Sequence, residues 1–142
     1  MDPKHLRDQS QRQDRLDEDW LHLFALEEMA ELLRTEAAYP VNGHTGITLH
    51  KTAHLRILLE VAKEGSRIGE HSVHGPTFIQ VLSGALRLTS GDETRIVRAG
   101  ELVVIPHDRA RNMFAEEESS FLLGLSLEMP DPLQERHDAA GS

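Results

Sequence analysis

The chain has 142 residues, 39% of them apolar, and a formal net charge of −9, which describes one domain able to build one modest core. The acidic balance repels phosphate backbones and no basic cluster offsets it, which argues against nucleic acid as a partner. With no cysteine there is no disulfide framework, no thiolate nucleophile and no cysteine-based zinc site. No apolar run approaches the length of a membrane span, and Asp2, Lys4 and His5 do not open a signal peptide, so no membrane association is expected and the cytoplasm is the expected compartment.

Residues 1–15 are almost wholly polar and are expected to be disordered unless a partner orders them. Residues 16–38 read as an N-terminal helical region. Leu26, Met29, Ala30 and Leu33 fall on one stripe of a 3.6-residue period, with Glu27, Glu28, Glu31 and Arg34 opposite. Trp20, Leu23 and Phe24 precede that stripe, and Pro40 and Gly43 are expected to stop the helix.

Over 44–128 the period changes to two. Leu55, Ile57, Leu59 and Val61 alternate with His54, Arg56, Leu58 and Glu60, and similar runs follow around Ile79–Val81, Leu86–Leu88 and Phe121–Leu127. Turn residues separate the runs: Gly65, Gly75-Pro76, Gly84, Gly91-Asp92 and Gly100. Short strands punctuated this way predict a mainly β fold, a small antiparallel sandwich or barrel with the helix outside it or reaching a second subunit. Leu58 and Leu82 lie on the less apolar faces, which predicts that some strands are covered on both sides. Residues 129–142, with Pro130, Pro132 and Gly141, read as a disordered tail.

Two stretches carry a specific spacing. Gly65 is followed after five residues by His71, and Gly84 closes that stretch; Gly100 is followed after five residues by Pro106. With the strand pattern around them, residues 46–127 resemble the cupin superfamily, whose two motifs run G-x5-H-x-H-x3,4-E-x6-G and G-x5-P-x-G-x2-H-x3-N. The resemblance implies a cupin, or jelly-roll, barrel. It also implies a metal site of three histidines and one glutamate that this sequence has largely lost. His71 keeps the first histidine position, Val73 and Thr77 stand at the second histidine and the glutamate, and Arg111 stands at the histidine of the second motif. A fixed guanidinium cannot ligate a cation and repels one nearby.

The predicted ligand-binding residues are His71, Thr77, Gln80 and Arg111. Arg111 offers a two-pronged donor to an anion, or pairs with an acid across the mouth. Gln80, an amide amid apolar strand residues, either bridges backbone groups or recognises a ligand. A rebuilt metal site would draw on His71, His74 and His107, with Fe, Mn, Ni, Zn or Cu as the divalent metal. His50 and His54 lie on the first strands and could share a face.

Two functions follow from this pattern. One is a barrel that binds a small organic ligand, an anion among the candidates, without a standard catalytic metal or other cofactor. The other is a metal-dependent enzyme, an oxygenase or isomerase, with a rearranged histidine site. A metal-free acid–base enzyme using His71 and Arg111 is a third. No Gly-x-Ser-x-Gly elbow and no phosphate-binding glycine loop is present. The resemblance further implies a homodimer that covers open sheet edges.

Overall fold

The structure, a computed structural model, describes residues 21–68, 76–106 and 111–127. Of the helical region predicted over 16–38, residues 16–20 lie outside the described residues; the described part holds two pieces, α1 (Leu26–Arg34) and α2 (Ala38–Asn42), and residues 21–25 are irregular. Met29, Ala30 and Leu33 form the buried stripe of α1. Glu27 and Glu28 in its first turn and Arg34 in its last complement the helix dipole. The break after Arg34 has a local cause. The Leu32 carbonyl, which a continuing helix would offer to the N–H of Glu36, instead accepts the N–H of Thr35 at 3.0 Å and its hydroxyl at 2.6 Å. Pro40 does not stop the chain where expected. It sits in the first turn of α2, where a missing N–H removes no helical bond. Gly43, at φ 81°, ends that helix.

Nine strands follow among the described residues: β1 (His44–Lys51), β2 (Leu55–Ala62), β3 (Arg67–Ile68), β4 (Thr77–Ser83), β5 (Ala85–Ser90), β6 (Glu93–Arg98), β7 (Leu102–Ile105), β8 (Asn112–Ala115) and β9 (Ser119–Ser126). They make a five-stranded sheet, β1-β2-β9-β4-β7, and a four-stranded sheet, β3-β8-β5-β6, with antiparallel pairing throughout. The fold is the mainly β, double-sheet jelly roll that the spacing predicts. No ladder joins the two sheets among the described residues, so they are not hydrogen-bonded into a closed barrel.

Two apolar cores hold this arrangement. The inner core lies between the sheets and includes Leu58, Ala62, Ile79, Val81, Leu86, Phe121 and Leu123. The outer core lies between the five-stranded sheet and the helices, joining Met29, Ala30, Leu33 and Tyr39 to Ile47, Leu49, Leu59 and Val61. Strand β2 therefore serves both, with alternate residues on opposite faces. Covering both faces of one strand with side chains each contributing about 1.5–3 kcal/mol of burial makes β2 the spine of the fold. The tight connection from β4 to β5 depends on Gly84. Its φ is 83°, and a Cβ there would collide with the carbonyl oxygen of Glu118 and the hydroxyl of Ser119.

Candidate functional site

Strand register assembles a polar row at one end of the inner face. On the five-stranded sheet, Arg56 pairs with Leu125, Leu125 with Thr77, and Thr77 with Ile105. On the four-stranded sheet, Leu88 pairs with Met113 and Thr89 with Asn112, the last pair of that ladder; Ser90 and Arg111 are the residues next beyond it on the two strands, and Ser90 pairs with Glu93. A cleft lined by Leu88, Ser90, Glu93 and Arg95 from one sheet and by Val103, Val104, Ile105 and Pro106 from the other links the two rows at the same end of the molecule.

Arg111 precedes β8 and falls in step with Met113 and Ala115, both buried. It is only 3% exposed. Its Nε and Nη2 are buried and have no hydrogen-bond partner among the described residues. Burial alone pulls its pKa below the ordinary value, but a guanidinium has far to fall before it loses its proton, and it stays charged. A buried charge without a partner is costly, and a fold keeps one only where something else compensates.

Thr77 opens β4 on the face shared with Ile79 and Val81. It is 2% exposed, and its Oγ1 also lacks a partner among the described residues. Two of the predicted ligand-binding residues thus lie on the inner face of the same end. Gln80 does not join them. It stands opposite Leu102 and Leu122, out of step with Ile79 and Val81, and is half-buried on the outer face. The alternation around it carries that signal in the sequence itself. His71, His74 and His107 lie outside the described residues.

Two inner-face residues escaped the sequence reading. Arg56 is held by its neighbour: its Nε and Nη2 donate to Thr48 Oγ1 at 3.2 and 3.0 Å. Glu60 lies between Leu58 and Ala62 and is 8% exposed, with Oε2 unpartnered among the described residues. Burial pushes its carboxyl up to about 7, with the charge of Arg56 pulling the other way. The backbone opposite makes room for it, since a Cβ on Gly46 would stand 2.6 Å from Glu60 Cγ. The run of apolar residues on both sides of Glu60 was the available signal.

No group of three or more His, Asp or Glu that could hold a metal ion occurs among the described residues. At the family's ligand positions that are described, the chain offers a hydroxyl at Thr77 and a cation at Arg111. Neither matches the imidazole and carboxylate donors that suit the borderline transition metals, and the cation opposes any metal ion held nearby.

A sequence profile of the family described as Cupin domain matches residues 57–125. No curated protein matches the chain in sequence. Among solved structures, a conserved protein of unknown function from Streptococcus pyogenes is similar at 23% identity and a TM-score of 0.64, over 79% of this chain and 92% of the other. An uncharacterized conserved protein with a double-stranded β-helix domain from Klebsiella pneumoniae is similar at 16% identity and a TM-score of 0.61, over 75% and 90%. The salicylate 1,2-dioxygenase of Pseudoaminobacter salicylatoxidans, solved with gentisate, is similar at 20% identity and a TM-score of 0.54. That likeness covers 68% of this chain but 27% of the dioxygenase. At these identities the likenesses speak to fold alone. No helix of the described residues is long and apolar enough to cross a membrane.

Proposed function

Residues 57–125 match the Cupin domain family, and on that footing we propose that the chain binds a small organic anion at the polar end of its double sheet. The observation that carries this reading is the buried guanidinium of Arg111, with Nε and Nη2 unpartnered among the described residues. A carboxylate accepts two parallel bonds from such a fork, and the site, removed from water, strengthens the attraction. Thr77 Oγ1 supplies a second contact on the facing sheet, since a hydroxyl can donate to the same anion. His71, at its motif position, is proposed as a further contact.

Calorimetry with a panel of small carboxylates and inorganic phosphate tests this. Arg111→Ala abolishes binding, and Arg111→Lys, which keeps the charge but loses the fork, weakens it. Binding that is indifferent to both substitutions would sink the reading. Metal content after incubation with Fe, Mn, Ni, Zn and Cu belongs to the same experiment. A stoichiometric metal lost in His71→Ala would turn the assignment toward an oxygenase or isomerase built on His71, His74 and His107.

The same proposal includes a homodimer in the cytoplasm. β1 and β7 are the edges of the five-stranded sheet, and β7 exposes Leu102 and Val104, the kind of edge that pairing covers. Light scattering that finds a monomer at micromolar concentration overturns that part.

A further inference from the structure

The seam between the two sheets adds something that Arg111 alone does not. β6 ends one sheet and β7 ends the other. The cleft between them has a volume of about 170 Å³. Its floor is the interior itself, because Leu88 and Ile105 belong to the inner core and Val103 packs against it. Pro106 closes one side, and Arg95 and Glu93 stand at the rim, 3.9 Å apart and largely exposed. Ser90 lines the cleft, and Ser90 and Arg111 are the residues next beyond the Thr89–Asn112 pair on their two strands, which sets the apolar floor close to the buried charge.

We propose that this seam seats the apolar body of a short-chain monocarboxylate whose carboxylate is held by Arg111. The inference rests on the anion-binding reading and adds the ligand's shape and its side of approach. A single charge is favoured because one buried guanidinium is unpartnered among the described residues, whereas Arg56 already gives its Nε and Nη2 to Thr48. An apolar body is favoured because Leu88, Val103 and Ile105 would otherwise meet a polar chain that they cannot pair. A short body is favoured by the cleft volume, well below that of sites for drug-sized ligands, which begin at about 300 Å³.

The test uses the full chain with acetate, butyrate, hexanoate and inorganic phosphate, followed by calorimetry and by methyl NMR. Affinity rises about fourfold for each methylene until the cleft is full. Butyrate and hexanoate move the methyl signals of Leu88, Val103 and Ile105, and phosphate does not. Val103→Trp fills the floor, removes the gain with chain length and keeps acetate binding. The methyl shifts are read in the unsubstituted protein, so they decide the matter even if that variant fails to fold. Binding that needs Arg111 but is flat with chain length, with those methyls unmoved, overturns the seam and leaves the anion reading standing. No binding of any carboxylate or of phosphate overturns both.

Discussion

The two ends of the double sheet treat buried polar groups in opposite ways. At the end where β9 begins, Ser119 is fully buried, and its hydroxyl accepts the N–H of Ala85 at 3.0 Å and donates to the carbonyl of Glu117 at 2.8 Å. Beside it the Ser83 and Ser120 hydroxyls bond each other at 2.7 Å. At the end where β4 begins, Thr77 Oγ1 and two nitrogens of Arg111 are equally buried and have no partner among the described residues. Each unsatisfied group costs about 1–3 kcal/mol, and more when charged. The first end is composed for folding. The second gives up stability, which is the mark of groups arranged for something other than the fold.

The largest expected effect comes from breaking the satisfied end. Gly84→Val forces a side chain into φ 83° and against the Glu118 carbonyl, so urea denaturation is expected to show a loss of about 3 kcal/mol or more.

Glu60, between the two ends, comes next. Its native carboxyl titrates near 7, above the ordinary value of 4.5. The native state therefore binds more protons than the unfolded chain between those values, and stability falls as pH rises through that window. Glu60→Gln removes that slope. At pH 8 it is expected to be more stable than the parent by on the order of 2–3 kcal/mol, a gain that disappears by about pH 4. Equal pH profiles for the two proteins contradict the assignment.

Arg111→Met carries the sharpest sign. Replacing a buried charge that has two nitrogens unpartnered among the described residues by an apolar side chain of similar length is expected to raise stability by about 1–2 kcal/mol while anion binding is lost. A destabilised Arg111→Met would mean that the guanidinium is part of the folding framework, and the contrast between the ends would fail. The smallest effect is a control on the outer surface. Arg87 pairs with Glu116 at 3.0 Å and lies 4.5 Å from the centre of the Phe114 ring, half-exposed. Arg87→Ala is expected to cost about 0.5 kcal/mol by thermal melting.

Much of this was legible in the residue order. Period-two runs broken by glycines foretold the strands, and the spacing from Gly65 to Gly84 and from Gly100 to Pro106 foretold the family. Arg111 and Thr77, read as standing at the positions of lost metal ligands, are both inner-face groups with atoms unpartnered among the described residues, as is Glu60, which the motif spacing did not mark. Gln80 was grouped with them because an amide among apolar residues stands out, yet composition does not say which face a residue takes. Glu60 was not singled out, although Leu58 on the same face already pointed to strands covered on both sides, because the alternation does not say how deeply that face is covered. Arg56, Leu88 and Val103 carried no signal of their own, because their relevance comes from strand register and from the meeting of two sheet edges.

The sequence by itself determined the local terms: strand period, turn positions, the hydroxyl that breaks the helix at Thr35, and a cation where the family keeps a histidine. Each depends only on neighbours along the chain. The tertiary structure alone decided which face of β2 looks inward. Leu58 and Leu59 are alike in hydrophobicity, and nothing within the strand distinguishes them until α1 covers one face and the second sheet covers the other. That packing choice buries Glu60, turns Arg111 to the inner side with Met113 and opens the seam between β6 and β7, because side-chain parity, once set by one contact, is carried rigidly across every paired strand.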